Sequence, residues 1–361
     1  MNTRVATILA AADLGASGTK IIDINIKDVI SRITINMFTT NVGVVMAAHP
    51  AANIEKLEIV DGSDVLFSLT GAQCQGVNFY GRNGKIPYTS LKTYASGQRA
   101  IFGIDFGRFL FDTELAFDPT KFRSPQLKIT WNEANAEATT VVNECEVLAY
   151  IFDEQKVTPT GFLMHKEIYS YTVGTTGYEY IDMPTDYITQ QIFAKAFKAP
   201  YGLTSIWDGF KLSEDNDKRV PIDLSSDELE RIAFETWGFV KEHAKLNAAA
   251  GVANFYGMPC DSCYAEGSVE GGYGDFSVFS QGGGQFACDN VLGTYRGRVT
   301  LIGNCPHGVL PLLPKPGPEI ADWYDVTKLG SLKLRVDDSA PAANTYTGEI
   351  IVSQYRPFAA A

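Results

Sequence analysis

A chain of 361 residues exceeds one compact domain and suits two, at about 150 residues each. Hydrophobic residues at 45% and charged residues at 20% allow a packed core and exclude global disorder. With 30 basic and 42 acidic side chains the net charge is −12, which argues against a protein that wraps nucleic acid on a basic face.

Residues 1–28 are rich in Ala and Gly at first and read as an N-terminal arm or short helix. From Val29 the pattern has period two: Val29, Ser31, Ile33, Ile35 and Met37 alternate with Ile30, Arg32, Thr34 and Asn36. Further strands are expected at Leu57–Leu69, Ala100–Phe111, Gln126–Trp131 and Glu144–Phe152. Turn signals at Asp61-Gly62, Asn83-Gly84 and Asp118-Pro119 separate them. A second series covers Phe162–Val173, Tyr178–Met183, Ile188–Phe197, Arg296–Ile302, Ser331–Val336 and Glu349–Tyr355. Pro159-Thr160-Gly161 lies between the two series and sets the expected boundary, giving units at 29–158 and 159–361. The 21 Phe, 17 Tyr, 33 Gly and 16 Pro suit strands joined by turns.

One segment departs from this pattern. Ser225 followed by Glu228 is a capping box, and Leu229, Ile232, Ala233, Trp237, Val240 and Ala244 recur at helical spacing until Gly251. A single amphipathic helix over 226–249 is expected, with Leu229, Ile232 and Trp237 facing inward. The region 260–290, with Gly271-Gly272-Tyr273-Gly274 and Gly282-Gly283-Gly284, reads as a long surface loop. No Lys-Ser/Thr follows either glycine run, so neither is a phosphate-binding loop.

The chain also repeats itself. Phe117-Asp118-Pro119-Thr120-Lys121-Phe122 matches Tyr324-Asp325-Val326-Thr327-Lys328-Leu329. At an offset of 205, Leu127-Lys128-Ile129 then falls on Leu332-Lys333-Leu334. Ala138 falls on Ala343, Thr140 on Thr345, Glu144 on Glu349, Val147 on Val352 and Tyr150 on Tyr355. A period this long means two copies of one β domain rather than a solenoid. Asp and Thr in each copy can bond their local backbone and fix a turn, which accounts for the pair without catalysis by Asp118 and Asp325.

Two tandem β domains with these blocks resemble the double jelly-roll major capsid proteins of tailless icosahedral viruses. Ile104-Asp105-Phe106-Gly107 through Leu127-Lys128 looks like the end of the first jelly roll in the bacteriophage members. Ala321-Asp322-Trp323-Tyr324-Asp325 through Ile350-Ile351-Val352-Ser353-Gln354-Tyr355 looks like the last strands of the second. The resemblance implies an all-β fold of two tandem jelly-roll sandwiches, with a helix-containing insertion at about 200–295 in the second. It implies a homotrimer whose six jelly rolls form a pseudo-hexagonal tile, next to other trimers and to penton or minor capsid proteins. Many relatives enclose a lipid membrane. The acidic charge fits a shell without sequence-specific contact to the genome, and the arm and the tail Arg356–Ala361 are expected to contact neighbours or an inner layer.

Other chemistry is thin. Cys260-Asp261-Ser262-Cys263 has the C-x2-C step of a zinc site, with Cys288, Cys305 and His307 downstream, but the second C-x2-C is missing. Loop or buried thiols at Cys260 and Cys263 are the expectation, and core thiols at Cys74 and Cys145. His49, His165, His243 and His307 show no ligand spacing, and no Gly-x-Ser-x-Gly elbow occurs. We therefore expect no catalytic, cofactor or metal residues and no enzyme. The competing reading is a jelly-roll carbohydrate-binding protein or glycoside hydrolase. The short apolar stretch Val5–Ala12 is not an export signal, and no Asn-x-Ser/Thr sequon occurs, which points to folding in the host cytoplasm.

Overall fold

The period-two segments form strands in the computed structural model, which describes residues 2–41, 46–92, 96–136, 140–153, 157–248, 251–270, 276–290, 295–342 and 344–358. The first half holds β1 (Thr3–Asp13), β2 (Ser17–Asp23), β3 (Ile30–Asn41), β4 (Ile54–Asp61), β5 (Asp64–Leu69), α1 (Gly71–Gly81), β6 (Thr89–Lys92), β7 (Ser96–Asp105), β8 (Pro125–Asn132) and β9 (Thr140–Phe152). The second half starts with β10 (Gly161–Val173), β11 (Gly177–Asp182), β12 (Thr189–Lys195), β13 (Trp207–Glu214), β14 (Arg219–Ser225) and α2 (Ser226–Trp237). It continues through β15 (Val240–Ala248), β16 (Gly251–Tyr256), β17 (Pro259–Glu270), β18 (Phe276–Gly282), β19 (Gln285–Asn290) and β20 (Tyr295–Pro306). It ends with β21 (Val309–Pro311), β22 (Leu332–Asp338) and β23 (Tyr346–Pro357).

The strand order occurs twice. In the first half β1-β9-β3-β7 faces β2-β8-β4-β5, and in the second β10-β23-β12-β21 faces β11-β22-β13-β14. Each of these eight strands of one half thus has a counterpart in the other. The sequence repeat falls on these counterparts: Leu127 and Ile129 lie on β8 as Leu332 and Leu334 lie on β22, all four buried. Val147 on β9 and Val352 on β23 are buried in the same way. Ala138 and Ala343 lie outside the described residues.

The first unit's second sheet continues into the second unit through the parallel pairing of β5 with β10, Ser68 opposite Lys166. Its first sheet runs the other way, through β6 paired parallel with β15, into β20 and β17. The second unit is interrupted after β14, where it inserts α2 and six strands; the first unit inserts only α1 and β6 at the equivalent point.

Four expectations need correction. Residues 1–28 are not an arm, because β1 pairs with β9 and β2 with β8, which makes them edge strands of the first sandwich. The insertion is shifted, since β13 and β14 belong to the jelly roll and the excursion runs from Ser226 to Pro306. The helix stops at Trp237, where Gly238 takes a φ of 74° that other residues resist. Val240 and Ala244 are buried as expected, but as alternate residues of β15, because a spacing of four satisfies a strand as well as a helix. Ile232 is 42% exposed rather than inward, while Leu229 and Trp237 are buried.

The fourth correction concerns 260–290, which is not a loop. Cys260 and Cys263 lie on β17, and Gly282-Gly283-Gly284 turns β18 into β19. All three glycines have positive φ, and a Cβ on Gly282 would stand 2.2 Å from the Pro200 carbonyl oxygen. The Gly271–Gly274 run lies outside the described residues.

One apolar core passes through both units. It includes Ile35, Phe102 and Val147 from the first and Ile192, Leu334 and Val352 from the second. Cys74, Val77, Phe79 and Tyr80 of α1 join it. Phe106, Phe117, Phe122 and Phe162 stack or meet edge-on at centroid distances of 4.8–6.2 Å across the junction. Each such buried ring contributes roughly 1.5–3 kcal/mol. A smaller core under the insertion gathers Met46, Leu91, Leu246, Phe255, Phe286 and Leu301.

Candidate functional site

The repeated Asp-x-Thr blocks build the same turn twice. Asp118 Oδ1 accepts from the Thr120 amide at 3.0 Å and its hydroxyl at 2.6 Å; Asp325 Oδ1 does so from Thr327 at 3.2 and 2.5 Å. Each turn leads into an equivalent strand, β8 or β22, so the two carboxylates serve turns in separate units. Lys328, 2.8 Å from Asp325, and the Thr327 hydroxyl hold that carboxyl down at about 2.

Each histidine is hydrogen-bonded, and His49 and His307 meet edge-on with ring centroids 4.7 Å apart. His49 Nε2 donates to Glu242, His165 Nδ1 meets Ser353 Oγ at 2.5 Å, His243 Nδ1 meets Thr300 Oγ1, and His307 Nε2 meets Gln75 Oε1. The His165–Ser353 pair lines a cleft of about 340 Å³ between the units, beside Tyr80, Arg108, Gln191 and Trp237. Burial pushes the imidazole down to about 4, and no carboxylate bonds its ring.

Cys74 and Cys145 are core thiols, as expected. Cys260, Cys288 and Cys305 are also buried, and Cys263 is half-buried. Among the described residues no three His, Cys, Asp or Glu side chains come together as metal ligands.

The geometry is richest where the units meet. α1 enters the seam under a capping box, in which Thr70 Oγ1 accepts from the Gln73 amide and Gln73 bonds back to the Thr70 amide. Gln73 Nε2 then donates to Glu167 and Glu349 of the second unit, and Lys195 pairs with Glu349 at 2.6 Å. The Tyr80 hydroxyl donates to the Val309 carbonyl at 2.8 Å, and Trp237 Nε1 donates to the Tyr80 carbonyl at 3.0 Å. The C-terminal segment is drawn in as well, which corrects its reading as an external tail. Arg356 pairs with Asp64 of the first unit, and the Phe358 ring packs on Phe122 and Phe162. Residues 359–361 lie outside the described residues. The sequence reading missed α1 although Thr70-x-x-Gln73 is a capping signature, because a helix buried on nearly every side has no apolar stripe.

Outside the seam, large side chains stay exposed in places a neighbour could cover. Tyr178 and Tyr180, each over 60% exposed, stand on the edge strand β11. Phe109 is 62% exposed between β7 and β8, and exposed Phe234 and Tyr264 flank half-buried Phe239 where α2 meets β17. Edge strands with exposed aromatics are contact surfaces in proteins that assemble.

No family model and no curated protein matches the sequence. Solved structures do match in fold. The chain is similar to the STIV MCP, with a TM-score of 0.60 at 10% identity over 99% of this chain and 97% of that one. It is similar to the major capsid protein from bacteriophage PM2, with a TM-score of 0.55 at 11% identity, covering 99% and 100%. The PBCV-1 virus capsid gives a TM-score of 0.55 at 11% identity, covering 98% and 94%. The double jelly-roll fold is therefore shared along the whole length.

Proposed function

We propose that this chain is a viral major capsid protein, a structural subunit rather than an enzyme, that trimerises into a pseudo-hexagonal tile of an icosahedral shell. The observation that carries the reading is the duplicated strand order within one chain, over the full length of the capsid subunits it resembles. Two like units per chain give a threefold assembly six similar lobes, which fills a hexagonal position with one protein. The units divide between Phe152 and Gly161. The part-buried Arg356–Asp64 ion pair, the Gln73 hydrogen bonds and the aromatic packing of the seam support this role, because a tile must keep its two lobes at a fixed angle. Its partners are copies of itself, neighbouring trimers and penton or minor capsid proteins. An internal lipid layer is a further neighbour where the shell encloses one. The protein is made in the host cytoplasm and resides in the virion of a bacterial virus.

Light scattering and negative-stain images of the purified protein test this. Expected are particles of three times the 39.4 kDa chain with a hexagonal outline, or closed shells. A stable monomer at assembly concentrations that cleaves a glycan would overturn the reading in favour of the hydrolase alternative.

A further inference from the structure

The two units meet through unlike faces. The β5 edge of the first joins the β10 edge of the second, Ser68 opposite Lys166, and α1, which follows β5, is buried beside them. Because the units are copies, each of these edges has an equivalent. β14 stands in the second unit where β5 stands in the first, and β1 stands where β10 does. Both β14 and β1 end their sheets, so both edges are free in the single chain. A contact between unlike faces of like units leaves one face of each kind unused, and its repetition about an axis closes a ring.

α2 likewise repeats α1. Each starts under a capping box directly after its strand, α1 packing on β4 and β7 and α2 on their equivalents β13 and β21. Burial separates the used edges from the unused ones. Leu163 lies opposite Tyr355 as Val5 lies opposite Tyr150, its partner in the repeat. Leu163 is 4% exposed and packs on Leu115 of the first unit, whereas Val5 is 50% exposed. Counted from the two caps, Val77 falls on Ile232 and Phe79 on Phe234. The α1 pair is buried and the α2 pair is exposed, as is Val220 on β14. An apolar side chain left open where its copy is covered fits a neighbour of the same kind.

We propose that the β14–α2 face of one copy docks on the β1 edge of the next, as the β5–α1 face docks on β10 within the chain. Three such contacts close a ring of six like units, so the inference rests on the trimer reading and names its interface. Val220, Ile232 and Phe234 supply one side of the contact, and Val5 supplies the other. Pro221 offers no amide to a neighbouring strand, so side-chain packing holds this contact rather than a long ladder. The seam is built in the same way, with Ser68 and Lys166 as its one registered pair between β5 and β10.

Light scattering on full-length variants tests it. I232E/F234E on α2 and, separately, Val5→Glu on β1 should each lower the particle mass from three chains to one. These side chains lie outside the core of the single chain, and an unchanged circular dichroism spectrum confirms folding. Tyr178→Glu, on the exposed strand β11 and outside both faces, should leave the mass unchanged. A V5C/V220C chain treated with a short bismaleimide gives a second measurement, made on the intact assembly. Bands of two and three chains are expected on a denaturing gel, and neither single cysteine variant should give them. A trimer that survives both glutamate variants, with no such bands from the double cysteine chain, overturns the assignment of faces and leaves the trimer reading standing. A wild-type protein that stays monomeric at assembly concentrations overturns both.

Discussion

His49 Nε2 donates to Glu242 Oε1 across 3.0 Å, joining the first jelly roll to the insertion 193 residues later. His49 Nδ1 accepts the Ala51 amide, which leaves Nε2 as the donating nitrogen. Glu242 is wholly buried and also accepts from Thr89 Oγ1 and the Met258 amide, both at 2.7 Å. Burial pushes its carboxyl up, but the His49 contact and these hydrogen bonds outweigh it and hold the group below the ordinary 4.5. Four segments distant in sequence thus converge on one carboxylate.

Replacing that carboxylate should be expensive. Glu242→Ala leaves the His49 and Met258 donors buried and unpaired, and half-buried Thr89 with them, and should cost about 3–5 kcal/mol, the range for breaking a buried charged contact. The pH dependence has a definite sign. Because the folded pKa lies below the unfolded one, the stabilisation is present above the unfolded value and lost as pH falls through the folded one. Urea midpoints between pH 3 and 7 should fall on the acid side, less steeply in Glu242→Gln. An unchanged acid limb in that variant would contradict the assignment.

Trp237 makes a second test. It is 9% exposed, meets Tyr80 edge-on at 5.2 Å and donates to that residue's carbonyl. Trp237→Ala should cost about 3–5 kcal/mol as a large-to-small core change. Trp237→Phe should lose about 1 kcal/mol with the hydrogen bond. Ile232→Ala, one turn earlier and 42% exposed, should stay within about 0.5 kcal/mol. Similar losses at Ile232 and Trp237 would show that the helix presents a different face to the core.

The repeat was legible because inward positions of equivalent strands keep their apolar character: Leu127 with Leu332, Ile129 with Leu334, Val147 with Val352. The Asp-x-Thr turns were legible because their bonds are local. What could not be read depends on distant partners. β1 and β2 are exposed edge strands whose side chains carry little periodicity, and only their pairing with β9 and β8 defines them. The Arg356–Asp64 pair and the Gln73–Glu349 contact link residues 292 and 276 positions apart, beyond any spacing rule.

Among the described residues none of the six cysteines is in a disulfide, and five are buried. Burial pushes Cys74 and Cys145 up to about 12 and also raises Cys260, Cys263 and Cys305. Because the thiolate is the reactive form, a thiol reagent at pH 8 should react slowly with the native protein, at half-buried Cys263 first. All six should titrate in denaturant. Six fast thiols in the native state, or one zinc per chain by elemental analysis, would contradict this arrangement.

Asp261 should shift stability in the direction opposite to Glu242. It lies on β17 with 6% exposure and accepts from the Leu203 amide at 2.9 Å and Thr204 Oγ1 at 2.8 Å. Burial, reinforced by the charge of Glu230, outweighs those bonds and pushes it up to about 6, against an ordinary 3.8. The folded state therefore holds a proton that the unfolded state releases. Stability falls as pH rises from about 4 to about 6 and is level above that, by an amount on the order of 3 kcal/mol. Asp261→Asn keeps an acceptor for Leu203, can donate to Thr204 and carries no charge. The variant should match or exceed wild-type stability at pH 8 and lose the decline between pH 4 and 6, while keeping the acid limb set by Glu242. Denaturation midpoints of the two proteins across pH 3–8 would settle the point, and a variant less stable than wild type at pH 8 would show that the ionised carboxylate is required there.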